Sequence, residues 1–310
     1  MTMRVMITGG TGLIGHALAM SLGNDGHEVI ILCRNPQQAG PMPETVKFEQ
    51  WDAETADGWG HLADGADAIV NLAGASLAGD HFLPTKWSQD RKRILKNSRV
   101  NSGKAIVAAV EAAEKKPGVV IQSSAVGYYG IHGMDVEITE DSPEGDDFLA
   151  NLCKVWEAST EAVEAQGVRR AIIRTALILD GKEGALPRMA LPFKLFVGGP
   201  LGSGKQPVPW IHLDDEVRAI RFLIENSSAK GAFNLVAPDV VTNAQFSKAL
   251  GKALNRPSYF PAPGFAFKLA FGEVSMVILE GQNVVPKKLL DMGFTFKHPQ
   301  VEEALRDVFN

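Results

Sequence analysis

Gly9-Gly10-Thr11-Gly12-Leu13-Ile14-Gly15 is the stretch that decides the fold. It follows an apolar run, Met3-Arg4-Val5-Met6-Ile7-Thr8, that reads as a buried first strand. It opens an apolar-periodic segment, Leu13 to Leu22, that reads as a helix. Strand, glycine turn and helix in that order turn a short glycine pattern into a physical statement. Gly9 permits the tight turn, Gly12 leaves the backbone open to a pyrophosphate, and Gly15 lets the helix lie close to the strand. The backbone N–H groups of Thr11, Gly12, Leu13 and Ile14 then face a doubly negative ligand at the positive end of the helix. The alternative is a glycine turn that merely joins strand to helix. The N-terminal position and the strand–helix context favour a dinucleotide site.

Outward from that turn, apolar runs alternate with helical patterns. Strands are expected at Glu28–Cys33, near Val46–Phe48, and at Ala68–Leu72, Val119–Gln122 and Ala171–Arg174; long helices are expected at Trp87–Lys116 and Asp147–Ala165. The alternation predicts an α/β protein, a Rossmann-type doubly wound parallel sheet with helices on both faces and ligands at the carboxyl ends of the strands. The pattern changes after Leu179. Gly198-Gly199-Pro200-Leu201-Gly202-Ser203-Gly204 reads as a loop, Val208–His212 and Ala232–Val236 as short strands, and the tail from Thr242 as mostly helical. The reading is therefore a dinucleotide-binding domain over 1–178, with segments around 208–236 returning to it. A smaller, mostly helical C-terminal lobe for substrate follows over 179–310.

Composition narrows the function classes. The 310 residues are 45% hydrophobic and 22% charged, ordinary for a soluble globular protein. A net charge of −5 gives no electrostatic support to a nucleic-acid or membrane-surface role. Cys33 and Cys153 have no metal spacing and make no disulfide framework, which fits a reducing compartment. No signal-peptide pattern and no bilayer-length apolar run is present, so cytoplasm is the expected location and no metal is expected.

The residue after the second strand chooses between the nicotinamide cofactors. An acid there binds the free ribose hydroxyls of NAD. Here the strand ends Cys33-Arg34-Asn35-Pro36, and Arg34 offers a guanidinium to a 2′-phosphate. NADP is favoured over NAD; a solvated surface arginine is the alternative. Asp52 reads equally as an acceptor for the adenine amino group or as a turn residue.

Four signals in order resemble the extended short-chain dehydrogenase/reductase superfamily. They are the turn at Gly9–Gly15, Asn71-Leu72-Ala73-Gly74, Ser123-Ser124-Ala125 with Tyr129-Gly130, and Trp210-Ile211-His212-Leu213-Asp214-Asp215. The chain looks most like the atypical "epimerase family protein" branch, with its C-terminal extension containing Glu280-Gly281-Gln282. The resemblance implies that Leu72, Ala73, Gly74 and Ser123 line the cofactor beside the glycine turn and Cys33-Arg34. It also implies a Tyr-x-x-x-Lys pair, in which the lysine lowers the tyrosine pKa and the tyrosine moves a proton. This chain lacks the pair. With Glu157 set on the family's glutamate, Leu149 stands at the tyrosine position and Cys153 at the lysine position, and a shift by one gives Ala150 and Lys154. The family's asparagine on the long helix is replaced by Arg99. It reads as a cofactor or substrate-anion ligand, or as one more charge beside Arg91, Lys92, Arg93 and Lys96.

The remaining candidates for proton chemistry are Ser124, Tyr128 and Tyr129, beyond the fifth strand. The alternative for the tyrosines is packing on the cofactor and at the lobe interface, since a phenol without a cationic neighbour keeps a pKa near 10. Cys153 reads as a small core residue, Lys154 as solvent-facing and His212 as a brace at the lobe junction. Glu140 and Asp141 offer a base or a solvated loop. Two functions compete. One is an NADP-dependent oxidoreductase or epimerase acting on a small polar, possibly anionic metabolite met by Arg188, Lys194 and Lys205. The other is a non-catalytic NADP(H)-binding sensor. The chain is expected as a monomer, or as a homodimer through the helices around Val107 and Val163.

Overall fold

A computed structural model describes residues 2–38, 40–79 and 86–310. In chain order the first half consists of β1 (Arg4–Thr8), α1 (Leu13–Asn24), β2 (Glu28–Cys33), β3 (Val46–Gln50), β4 (Ala68–Asn71), α2 (Gln89–Ala112), β5 (Val119–Ala125), β6 (Glu137–Ile138), α3 (Phe148–Ala158), α4 (Ala162–Ala165) and β7 (Arg169–Thr175). There follow β8 (Leu177–Leu179), α5 (Leu186–Lys194), β9 (Pro207–Val208), β10 (Trp210–His212), α6 (Leu213–Glu225), β11 (Gly231–Leu235), β12 (Val241–Thr242) and α7 (Asn243–Ala253). The chain ends with α8 (Gly264–Phe271), α9 (Met276–Leu279), β13 (Asn283–Val284), α10 (Lys287–Asp291) and α11 (Val301–Phe309).

Among the described residues seven parallel strands form the central sheet in the order β11-β7-β5-β4-β1-β2-β3. The order reverses between β1 and β4, and the carboxyl ends of these strands form the crevice in which such sheets bind ligands. Both faces are covered, which is why β1, β2, β4 and β5 read as unbroken apolar runs. Val5, Ile7, Val29 and Ile31 pack on one side with Leu18 and Leu22 of α1 and Ile220 and Leu223 of α6. Met6, Ile30, Ile69 and Val120 pack on the other with Ile106 and Val110 of α2. The expected fold class is the observed one.

Several boundaries moved for local reasons. The helix expected over 147–165 breaks after Ala158, where the Ser159 hydroxyl donates back to the Trp156 carbonyl at 2.6 Å and competes with the helical ladder. The long helix stops at Ala112, and the Lys116 ammonium donates to the carbonyls of Val110, Glu111 and Ala113, groups that a helix end leaves unsatisfied. The strand expected over 208–212 is cut by Pro209: β9 pairs with β12, and β10 pairs with β8 outside the main sheet. From that region only β11 enters the main sheet. Val163 is fully buried in the chain's own core, so it presents no free surface to a second copy.

Buried Asp215 is one of the carboxylates that tie down the C-terminal extension, with Glu140 and Asp239. Asp215, fully buried in the first turn of α6, accepts from the backbone N–H groups of Lys297 and His298 and from Arg218. Among the described residues no helix is long and apolar enough to cross a membrane.

Candidate functional site

The glycine turn sits at the mouth of the crevice. Gly9 has φ +68°, and a Cβ there would lie 2.8 Å from the Leu72 carbonyl, so only glycine fits where β1 passes β4. A Cβ at Gly15 would lie 2.5 Å from the Gly9 oxygen, which fixes how closely α1 approaches the turn; at Gly10 it would strike Ile31 at 2.6 Å. Gly12 differs from these three. A Cβ there meets nothing closer than 3.4 Å, because its position faces open space. Gly12 is also the N-cap of α1 and supplies no capping side chain, leaving first-turn N–H groups available to an outside acceptor. Thr11 is exposed, and Leu13 and Ile14 are half-buried beside it. Space above Gly12 together with free donors fits a pyrophosphate.

At the end of β2, Cys33 is buried and Arg34 is exposed, with no hydrogen bond or ion pair to any described residue. Asp52 uses its carboxylate on its own turn. It accepts from the backbone N–H groups of Glu54 and Thr55 at 2.7 and 2.8 Å and from the Thr55 hydroxyl at 2.8 Å. These bonds, the Thr55 amide first, hold its carboxyl below the ordinary range.

Beneath the crevice a buried polar chain crosses three strands. The Thr8 hydroxyl donates to Asn71 Oδ1 at 2.7 Å, Asn71 Nδ2 donates to Gln122 Oε1 at 2.9 Å, and Gln122 Nε2 donates to the Ser123 carbonyl at 2.7 Å. The Ala73 N–H returns to the Thr8 hydroxyl at 3.3 Å. The chain fixes the Leu72-Ala73-Gly74 corner against the glycine turn; Ala73 is buried and Gly74 exposed.

The proton-chemistry candidates converge on an ion pair. β5 runs through Ser123 and Ser124 to Ala125, so both serines lie within the strand end and both are buried. The Ser124 hydroxyl donates to Glu157 Oε1 at 2.6 Å. Glu157 takes Arg174 through two bonds, Nε to Oε1 at 2.9 Å and Nη2 to Oε2 at 3.0 Å. Arg174 Nη1 donates to the Tyr129 hydroxyl at 2.9 Å, and that hydroxyl donates to Asn234 Oδ1 at 2.6 Å. Burial opposes the Arg174 charge, but the bonds from Glu157 outweigh it and raise its pKa. The sequence reading assumed no cation near the phenols, and Arg174 corrects it. The guanidinium lies 3.5 Å from the centre of the Tyr128 ring and 5.0 Å from that of Tyr129.

The two phenols differ in access. Tyr129 is fully buried, and burial pushes it up to about 12 against the pull of Arg174. Tyr128 is half-buried, with its hydroxyl 3.4 Å from the exposed Glu144 carboxylate. Burial raises it while Arg174 lowers it.

The other candidates have structural partners. Cys153 is buried with its thiol toward the Ala125 carbonyl, pushed up to about 11 by burial and then by Glu157. Leu149 packs with the Trp87 cluster, so α3 brings no phenol to the crevice. Arg99 does not join the exposed cations of α2. It is buried, donates to the Ala75 and Leu95 carbonyls at 3.0 Å and lies 4.6 Å from the Trp156 ring, and burial takes it down to about 10. His212 caps α6 by accepting from the Asp214 N–H at 3.1 Å. Glu140 is buried and accepts from the backbone N–H groups of Asn234 and Lys288. Lys154 donates to the Gly145 carbonyl at 3.3 Å.

A strand–glycine–helix cradle, a polar Asn-Leu-Ala-Gly corner and a Ser124–Glu157–Arg174 network on one crevice agree with the sequence comparisons. Residues 5–236 match the NAD dependent epimerase/dehydratase family, and residues 262–308 match a domain of unknown function, DUF1731. The chain belongs to the NAD dependent epimerase/dehydratase family. Within it, the chain falls in the atypical extended short-chain dehydrogenase/reductase branch. The epimerase family protein YfhF of Bacillus subtilis is 36% identical over 304 residues, 98% of this chain and 97% of that protein. The epimerase family protein SDR39U1 homolog, chloroplastic, of Arabidopsis thaliana is 38% identical over 309 residues, 99% of this chain and 86% of that one. The crystal structure of human epimerase family protein SDR39U1 with NADPH superposes with a TM-score of 0.88 at 34% identity, covering 99% of each chain. In this family member, sequence reading missed Glu144 as a site residue and noted Asn234 only within a strand. It noted Glu157 only as a register mark and Arg174 only as the end of a strand.

Proposed function

We propose that the protein is an NADP(H)-dependent oxidoreductase or epimerase of a small polar metabolite, in which Tyr128 does the work of the family's tyrosine. The observation that carries this is the Arg174 guanidinium 3.5 Å from the Tyr128 ring, a cation beside the one partly accessible phenol at the crevice. The NADPH in the human relative's structure and the exposed Arg34, unpaired among the described residues, support NADP over NAD. Gly9, Thr11, Gly12, Leu13 and Ile14 would hold the pyrophosphate, Cys33 and Arg34 the adenosine side, and Leu72, Ala73, Gly74 and Ser123 the remainder. Asp52 and Arg99 are assigned instead to a turn and to a buried brace.

Bound nicotinamide supplies or accepts a hydride. Tyr128, a neutral phenol at neutral pH, gives its proton to the substrate oxygen when hydride is supplied, and takes the substrate hydroxyl's proton while passing its own to Glu144 when hydride is accepted. Arg174 stabilises the phenolate as it forms, and Glu144 passes a proton back from solvent. Ser124, its hydroxyl committed to Glu157, fixes the position of Arg174. Tyr129 props the same guanidinium from behind. Two buried, unpaired cysteines support a reducing compartment, the cytoplasm in this reading.

The test loads the protein with NADP⁺ and exposes it to a protein-free metabolite extract, following the near-ultraviolet absorbance of reduced nicotinamide. A signal lost in Tyr128→Phe and retained in Tyr129→Phe supports the assignment. Equal activity of Tyr128→Phe removes it. The second reading, a non-catalytic NADP(H) sensor, is favoured by Leu149 and Cys153 at the family's Tyr and Lys positions. Bound cofactor with no signal from any fraction removes the oxidoreductase and leaves the sensor against an epimerase, which re-oxidises its cofactor in each turnover.

A further inference from the structure

The net charge of −5 conceals a local excess of the opposite sign. Residues 185–206 contain Arg188, Lys194 and Lys205. Residues 240–272 contain Lys248, Lys252, Arg256 and Lys268, and neither stretch holds an aspartate or a glutamate. The fold lays the two stretches side by side. The Phe260 N–H donates to the Gly198 carbonyl, the Ala262 N–H to Pro200 and the Gly202 N–H to Ala262. The Arg256 guanidinium lies 4.5 Å from the Phe196 ring.

Along these joined stretches large apolar side chains are exposed. Leu195, Phe196, Val197, Phe260 and Phe265 are more than half exposed, and Tyr259 and Leu269 are each 80% exposed. Helix α8 buries none of its residues, although it reads Gly-Phe-Ala-Phe-Lys-Leu-Ala-Phe. Phe196 holds φ +63°, a conformation that bulky residues avoid, and does so while presenting its ring outward. Scattered exposed leucines are ordinary; seven large exposed apolar side chains on two joined stretches are not.

We propose that this face of the C-terminal lobe docks peripherally on an anionic lipid bilayer. Tyr259, Phe260, Phe265 and Leu269 enter the headgroup layer, and Lys194, Lys205 and Lys268, all exposed, meet lipid phosphates. Charge decides the occupant. A two-fold contact with a second copy would press the exposed Lys194, Lys205 and Lys268 against their own counterparts. A bilayer with negative headgroups complements both the charge and the apolar rings.

The test is co-sedimentation of the full chain with vesicles of phosphatidylcholine, and of phosphatidylcholine mixed with phosphatidylglycerol. Binding is expected only with phosphatidylglycerol, and raised salt releases it. Lys268→Gln should weaken it about fivefold. Phe265→Asp combined with Leu269→Asp should abolish it, with unchanged Tm because both side chains are exposed. Three results would overturn the proposal. They are no pelleting with either vesicle, equal pelleting with both, or a wild-type dimer that the Phe265/Leu269 variant dissociates without vesicles. The last would give the face to a second copy.

Discussion

Glu216 offers a quantitative test of the buried architecture behind the crevice. It lies in the first turn of α6, fully buried, where Oε1 accepts from the Thr175 hydroxyl at 2.8 Å and Oε2 has no hydrogen-bond partner among the described residues. With no cation beside it, burial pushes its carboxyl up to about 8 from the ordinary 4.5. The folded protein therefore keeps this proton up to about pH 8, whereas the unfolded chain releases it above about pH 4.5. Stability from the neutral acid is fully present below the lower value and is lost as pH rises through the higher one. The loss proceeds at about 1.4 kcal/mol per pH unit. It amounts to roughly 3 kcal/mol at pH 7 and levels off at about 5 kcal/mol above pH 8. Glu216→Gln keeps the acceptor for Thr175 and cannot ionise. It leaves an amide N–H unpaired much as the acid leaves its O–H, a constant offset that drops out of the slope. Urea unfolding of both proteins from pH 5 to 8 should show the variant gaining on wild type with rising pH. Between pH 5 and pH 7 the difference in unfolding free energy should grow by roughly 3 kcal/mol. Parallel stability curves for the two proteins across that range would refute the reasoning.

Three other outcomes follow from the geometry. Gly12→Glu places a carboxylate where the pyrophosphate would sit, in space that a Cβ enters without a clash; calorimetry should find no NADPH binding, while the melting curve stays that of wild type. Glu157→Gln strands the Arg174 charge in the interior and should cost about 3–5 kcal/mol in chemical denaturation. Adding Arg174→Met should recover part of that loss, because the two residues act as a unit. Cys33 and Cys153 are both buried with raised thiol pKa values, so iodoacetamide at pH 8 should label neither in the native protein and both after unfolding.

The fold was legible because its signals are local. The β-branched run Glu28–Cys33 and the glycine turn before Leu13 each declare their structure within a few residues. Where local pattern failed, a side chain or a ring intervened: the Ser159 hydroxyl broke one helix, and Pro209 split one strand between two partners. The geometry of the glycine turn was legible for the same reason as the fold. The proton-chemistry cluster was not, because its bonds join residues far apart in sequence, with Tyr129 and Asn234 separated by 105 positions and Tyr129 and Arg174 by 45. The burial of Arg99 was not legible, because Arg93 and Lys96 nearby on the helix are exposed, whereas its own helical position faces Trp156.

The central claim is that the Gly9–Gly15 cradle and Arg34 form an NADP(H) site. The direct measurement is titration of NADPH and NADH into wild type and Arg34→Ala. The account predicts that wild type prefers NADPH by at least tenfold. The arginine substitution should remove most of that preference through weaker NADPH binding alone, since a charged hydrogen-bonded contact contributes about 1.5–3 kcal/mol. Equal wild-type affinity for the two cofactors, or a preference that survives Arg34→Ala, would contradict it.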